Sequence, residues 1–318
     1  MKSHSVRMSR QTSKPKPKPT VTIVGPGRLG QALAIALQAS GYSIQSLVAR
    51  RATQARKAVA LLAGSPGRVD AALPILPLGI SDLSKLPPSD LILIATPDDP
   101  IPETANRLAI YGHGKGRAVF HTSGALSSVV LAPLARAGFH TGSLHPLVSV
   151  SEPRSGAAAL RGAFYCLEGD RAALRMARLI VKDLGGKSFS IRPESKALYH
   201  AAAVMASPHL VALFDLATEM LASCGVNKKS ARQILLPLVE STLNNLGAMT
   251  SEQALTGTFA RGDVATARRH LDALSGKQLA EALEIYKLLG LRSVELAKKR
   301  GLDAKLLRHM KELLTLRA

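Results

Sequence analysis

The chain of 318 residues has no tryptophan, two cysteines and only 3% aromatic residues. Cys166 and Cys224 are too few for the disulfide framework of a small secreted domain and offer none of the paired spacings that hold zinc. No metal is therefore expected, and a reducing compartment, the cytoplasm, is. The shortage of aromatics removes the stacking platforms on which single-stranded nucleic acid is usually read. No uninterrupted apolar run approaches the roughly 20 residues of a membrane span, so no membrane helix is expected. Acids are also scarce, with 22 Asp and Glu against 42 Lys and Arg, a formal charge of +20. Six of the basic residues (Lys2, Arg7, Arg10, Lys14, Lys16 and Lys18) fall in residues 1–19, which contain no acid and end in a Lys-Pro-Lys-Pro-Lys-Pro run. Such a segment favours an extended, solvated arm and is left outside the fold. The remaining excess is spread over surface-type helices. It suits weak, salt-sensitive attraction of anions, small anionic substrates included, better than a specific nucleic-acid function.

Length alone favours two domains, because single cores stop growing near roughly 250–300 residues. Between residues 20 and 192, short β-rich runs alternate with longer Ala/Leu-rich stretches, the pattern of a parallel sheet wrapped by helices. Strands are expected near 20–24, 43–49, 90–95, 117–121, 139–144, 163–167 and 187–191. From 193 to 318 the strand-like runs disappear, and amphipathic stretches near 194–224, 228–246, 263–273, 276–299 and 302–316 predict an all-helical domain. The fold class is thus α/β, a doubly wound parallel sheet followed by helices.

The first strand runs into Gly25-Pro-Gly27-Arg28-Leu29-Gly30 and then directly into the helical Gln31-Ala-Leu-Ala-Ile-Ala-Leu. Glycines in this spacing, between a strand and a helix, suit a dinucleotide: Gly25 for the turn, Gly27 for close approach of the pyrophosphate, Gly30 for helix packing. Arg28 and Leu29 lie within the same loop, where the helix N-terminus supplies amide donors. About twenty residues on, an NAD site usually places an acid on the ribose 2′-hydroxyl. The second strand here ends instead in Arg50 and Arg51, with Thr53 close behind. Guanidinium groups hold a 2′-phosphate that a carboxylate would repel, so the expected cofactor is NADP(H). Ligands of such sheets lie at the carboxyl ends of strands, which brings Ala95, Thr96 and Pro97 beside the nicotinamide ribose. His121, Ser123 and His145 become candidate substrate contacts on the same ground. Ser123 serves equally as a turn cap and His145 as a hydrogen-bonded turn residue.

In Glu194-Ser-Lys-Ala-Leu-Tyr-His-Ala-Ala-Ala-Val-Met-Ala-Ser207, Lys196 and His200 stand one helical turn apart. At about 100° per residue, Ser207 falls on the same polar stripe and is a third candidate, for substrate binding. Pro208 is expected to kink this helix near Val204.

Five segments together carry a resemblance. Gly25-Pro-Gly-Arg-Leu-Gly30, His121-Thr-Ser-Gly124, Gly142-Ser-Leu-His-Pro146, Lys196-Ala-Leu-Tyr-His-Ala-Ala-Ala203, and Ala254-Leu-Thr-Gly257 with Arg261-Gly-Asp263 resemble the Rossmann-like and DUF2520 domain family. Its members are commonly labelled NADP oxidoreductases. The resemblance implies a Rossmann domain followed by a helical domain of the 6-phosphogluconate dehydrogenase type, a fold shared with ketopantoate reductase and pyrroline-5-carboxylate reductase. It also implies a homodimer through the helical domain and a small-molecule substrate. By analogy with the wider hydroxyacid dehydrogenase group, either Lys196 protonates the carbonyl oxygen while His200 orients it, or His200 is the acid and Lys196 clamps a carboxylate. The implied activity is NADPH-dependent reduction of a small carbonyl compound, such as the 2-oxo acid ketopantoate. Alternatives are an imine of the pyrroline-5-carboxylate type or a non-catalytic NADP(H) sensor. The chain departs from the family in Ala206-Ser207-Pro208, where the usual reading is Ala-Ser-Asn, and in Leu255-Thr-Gly-Thr258, where Pro usually ends the motif.

Overall fold

The computed structural model describes residues 17–63, 74–111 and 114–315. All but the last three residues of the basic arm lie outside that range; of these three, Lys18 pairs with Asp183 at 2.9 Å. The chain divides into two compact units that part between Ser207 and Pro208. The sequence placed the division at 192/193; the helix bearing Lys196 and His200 instead goes with the sheet.

Among the described residues, eight strands form one sheet: β1 Thr20–Val24, β2 Ser43–Ala49, β3 Leu76–Gly79, β4 Leu91–Ile94, β5 Ala118–His121, β6 His140–Pro146, β7 Phe164–Gly169 and β8 Lys187–Ser190. Their order is β3-β2-β1-β4-β5-β6-β7-β8, parallel except for the β6/β7 pair. β3 was not anticipated. Its sequence, Leu-Pro-Leu-Gly, has no β-branched residue, and only an edge position tolerates its proline. Helices α1 Arg28–Ala39, α2 Ala52–Ala63, α3 Ile101–Tyr111, α4 Ala132–Arg136, α5 Pro153–Leu160, α6 Arg171–Asp183 and α7 Lys196–Ala206 complete the first unit.

Alternation along the strands sends side chains to two cores. Val21, Ile23, Leu91, Leu93 and Phe120 pack with α1, α5 and α6 on one face, whereas Val24, Ile92, Ile94 and Val119 pack with α3 and α4 on the other. Burial on both faces is why these strands read as apolar runs. Helix starts are fixed locally. The Asp170 carboxylate accepts from the amides of Ala172 and Ala173, both at 2.8 Å, to open α6, and its other oxygen takes the Thr141 amide at 2.7 Å.

The second unit contains α8 Pro208–Ala222, α9 Lys228–Ala248, α10 Ser251–Ala254, α11 Gly257–Arg261, α12 Val264–Leu274, α13 Ala280–Lys299 and α14 Ala304–Thr315. Asp263 caps α12 by accepting from Thr266 at 3.0 Å. Ala267, Val294, Met310, Leu313 and Leu314 form its main core.

The break between α7 and α8 falls at Ser207 (φ −130°, ψ −77°), not at Val204 as expected. A proline ring steers the residue before it out of the helical region, so the helix stops there instead of bending a turn earlier. The regular wheel that placed Ser207 on the Lys196 stripe therefore ends one residue short of it. By length and composition alone, Pro193–Ala222 is apolar enough to cross a membrane, although the helix is interrupted at Ser207. The expectation of no membrane helix looked for an unbroken apolar run, and this stretch qualifies by averaging over a few charges.

Candidate active site

Gly25 has φ +89°, and a Cβ there would stand 2.7 Å from the Thr96 amide nitrogen. Only glycine fits that turn from β1 into α1, packed on the end of β4. Gly30 is buried against the Gly25 carbonyl, which lets α1 start tight on the strand. Gly27 differs: a Cβ there would meet nothing within 4 Å. It opens α1 without a side-chain cap, leaving the first-turn amides free to receive an anion.

Beside this turn lies a cavity of about 920 Å³. Of the residues expected to hold a cofactor, Gly25, Gly27, Arg50, Ala95, Thr96 and Pro97 line it; Arg28, Leu29, Gly30 and Arg51 do not. Arg28 and Arg51 are solvent-exposed, and Leu29 packs against the sheet core. Gln54, Lys57 and Arg107 also line the cavity and were not singled out, because helix positions facing a ligand leave no local motif. Its one carboxylate, Glu103, is paired with Arg107 at 2.6 Å, so the wall near Arg50 carries no free acid. The Thr96 hydroxyl is buried without a partner. An uncapped helix start, unopposed cations and an orphaned hydroxyl are what a phosphorylated dinucleotide would engage, so the residues present fit NADP(H).

The second cluster stands at the carboxyl ends of β5 and β6. Lys196 is 1% exposed. Its Nζ donates to the Ser123 carbonyl at 3.0 Å and to the Ser143 hydroxyl at 2.8 Å, tying α7 to both strands. Burial holds its pKa below the usual lysine value, and the charges of Cys166, Glu168 and Asp98 oppose that shift. Ser123 is a turn residue: its hydroxyl accepts from the amides of Ala125 (3.1 Å) and Leu126 (3.0 Å). The end of the same loop is held by buried Glu168, which takes the Ser128 amide at 2.7 Å and its hydroxyl at 2.6 Å.

Three histidines surround this knot. His121 is fully buried; its Nδ1 accepts from the Ser123 amide at 3.2 Å, and its Nε2 is buried with no partner of acceptable geometry. Burial, with the Lys196 charge beside it, pushes His121 down to about 4, and the Ser127 backbone pulls weakly the other way. His145, on β6, is also held down to about 4, by burial and then by Lys196, His200 and His121. Its Nδ1 lies 2.6 Å from the Tyr199 hydroxyl. The His145 ring meets those of Tyr199 and His200 edge-on, at centroid distances of 5.6 and 5.8 Å. His200 Nδ1 is buried and unpartnered, and it crowds the Cα of Gly124 together with His145. Thus Lys196, His200, His121, Ser123 and His145 come together in one cluster. Ser207, half-buried at the end of α7, makes no side-chain hydrogen bond. Tyr199 and Ser143 were missed. Both lie within the motifs quoted above, but a tyrosine or serine near a histidine in sequence gives no sign of which way it turns. No group of His, Cys, Asp and Glu among the described residues could hold a metal ion.

Residues 7–146 match the Rossmann-like domain, and residues 163–293 match DUF2520, a domain of unknown function. The chain belongs to the Rossmann-like and DUF2520 domain family. A search of curated proteins found no match. Among solved structures, protein TM1727 from Thermotoga maritima is 24% identical, with a TM-score of 0.62, covering 92% of this chain and 98% of its own. BF3122 from Bacteroides fragilis, described as a proposed NADP oxidoreductase, has a TM-score of 0.68 at 19% identity, covering 89% of this chain and 99% of its own. A 1-pyrroline-5-carboxylate reductase from Streptococcus pyogenes has a TM-score of 0.55 at 15% identity, covering 94% and 99%. These likenesses establish a shared fold.

Proposed function

We propose that this family member is an NADPH-dependent oxidoreductase that reduces a small carbonyl compound by direct hydride transfer. The observation that carries the reading is the pairing, along one carboxyl edge of one sheet, of a glycine turn and Arg50-lined cavity with a buried Lys, His and Tyr cluster. The solved relatives described as NADP oxidoreductase and pyrroline-5-carboxylate reductase support it.

When bound, NADPH supplies a hydride from its nicotinamide. The chain's part is to hold the phosphates on the first turn of α1, to neutralise a 2′-phosphate with Arg50, aided by Arg51, and to orient a polarised C=O bond before His200. Of the two assignments open from sequence, burial weighs against Lys196 as the acid and leaves it an electrostatic post, because two of the lysine's three donors are already engaged inside the protein, while the unpartnered Nδ1 of His200 is free to orient the substrate. The formal charge of +20 favours an anionic substrate. A 2-oxo acid such as ketopantoate is the leading candidate, and an imine of the pyrroline-5-carboxylate type is the second, favoured by the fold shared with that reductase.

The test is titration with NADPH and NADH, read by nicotinamide fluorescence against a background free of tryptophan. Tight NADPH binding that weakens about 10- to 100-fold in Arg50→Ala/Arg51→Ala, with NADH little changed, is expected from losing charge-assisted bonds to one phosphate. No binding of either nucleotide would sink the reading. NADPH binding without turnover of either substrate would point to a sensor.

We also propose a homodimer. On α8 and α9, Val211, Leu213, Ile234, Leu236, Leu238, Leu243 and Leu246 are exposed, Leu238 at 63%. So many exposed large apolar side chains on two neighbouring helices are what a partner would cover. Lys228, Lys229, Arg232 and Glu240 are interspersed along α9, which suits a second protein copy better than lipid. Cytoplasmic placement remains our proposal; the free thiols of Cys166 and Cys224 support it.

A further inference from the structure

We propose that the proton for the reduced product comes from His145 Nε2 and is replaced through the Tyr199 hydroxyl, with Lys196 as the buried post that positions the pair. This inference rests on the reductase reading and adds to it a route for the proton.

Lys196 is poorly placed to be the acid. It is 1% exposed, and two of its three N–H donors are held inside the protein by Ser123 and Ser143. Its ammonium instead lies 5.7 Å from the centre of the Tyr199 ring. Tyr199 has one hydroxyl proton and two neighbours, His145 Nδ1 at 2.6 Å and the Cys166 thiol. An imidazole nitrogen is a far better acceptor than a thiol, so the proton points at Nδ1. That bond leaves Nδ1 with its lone pair engaged and puts the imidazole proton on Nε2. The Nε2 edge turns toward Gly124, where an added Cβ would stand 2.9 Å from it and would also crowd the unpartnered Nδ1 of His200. The absence of a side chain at Gly124 is what lets the two imidazoles converge there.

The protonation states agree. Burial and neighbouring cationic groups hold His145 down to about 4, so an imidazolium acid is scarce at neutral pH. Burial raises the Tyr199 phenol, which therefore stays protonated and is still a stronger acid than an alcohol. The step balances as follows. Hydride from the reduced nicotinamide forms the new C–H bond, and the C=O π pair moves to oxygen. That oxygen takes the Nε2 proton while Nδ1 takes the proton of Tyr199. The cofactor is oxidised and the carbonyl carbon reduced. The transient phenolate lies near the Lys196 charge and recovers a proton from solvent, which half-buried Tyr199 reaches.

The experiment uses the full-length protein with NADPH and, as probes, ketopantoate and 1-pyrroline-5-carboxylate. In Tyr199→Phe, kcat should fall about 100-fold or more, with KM and NADPH affinity within a factor of about two. The wild-type rate should be flat across neutral pH. The residual Tyr199→Phe rate should fall as pH rises, because only imidazolium can then donate; a merely structural tyrosine would not change the profile. Independently of any variant, nitrogen NMR of wild-type His145 should show a neutral ring protonated at Nε2. A wild type that turns over a probe while Tyr199→Phe matches it in rate and profile overturns the relay alone, as does an Nδ1-protonated or charged ring at neutral pH. A wild type that binds NADPH and reduces neither probe overturns the reductase reading, and the relay with it.

Discussion

His145 gives the most direct physical test of the buried cluster, because its imidazole is held down from 6.5 to about 4. Between those values the unfolded chain binds a proton that the folded chain refuses, so acid favours unfolding. The stability attached to the neutral ring is complete above the unfolded pKa and is lost as pH falls toward the folded one. One group with this shift contributes a loss of about 2 kcal/mol between about pH 7 and about pH 5, where most carboxylates are still ionised. Replacing it with Gln, which cannot titrate, should remove that loss. His145→Gln is expected to be less stable than wild type at neutral pH, through its altered bond to Tyr199, but to lose about 2 kcal/mol less on acidification over this interval. A chain of two compact units need not unfold in one step, so the readout is native-state hydrogen exchange of β5 and β6 amides, corrected for intrinsic rates. Parallel pH slopes for wild type and His145→Gln, within about 0.5 kcal/mol, would refute a buried neutral imidazole at this position.

Two further outcomes are expected. Gly124→Ala puts a methyl group against His200 and 2.9 Å from His145 Nε2; it should cut turnover about 10-fold or more while NADPH fluorescence titration is unchanged, since the glycine turn is elsewhere. Leu238→Asp places a charge in the exposed apolar face of α9; light scattering should show monomer where wild type shows dimer, and an unchanged mass would remove this face from the interface.

Much of the first unit was legible because its signals are local. An apolar strand, three spaced glycines and an uncapped helix start sit within a dozen residues, and Arg50 and Arg51 stand where the second strand ends. The seven strands that were anticipated carry β-branched or aromatic residues, whereas β3, Leu-Pro-Leu-Gly, carries neither. The helix wheel correctly put Lys196 and His200 on neighbouring turns but overran Ser207, because the proline after it ends α7.

What the sequence determined by itself was the order of elements apart from the edge strand β3, the glycine turn and the chemical types available at the carboxyl edge, since each follows from spacing within a short segment. Tertiary structure decided which of those groups are spent and which are free. Lys196, Ser123 and Ser143 come from three different elements, as do His121, His145 and His200. Whether a lysine faces a substrate or is bonded inside, and whether a tyrosine turns outward or onto a histidine, depends on contacts between residues far apart in the chain: 53 positions for Lys196 with Ser143, 73 for Lys196 with Ser123 and 54 for His145 with Tyr199. No local pattern encodes such distances. They arise only when parallel strands bring their carboxyl ends together and low dielectric makes each buried polar group find a partner.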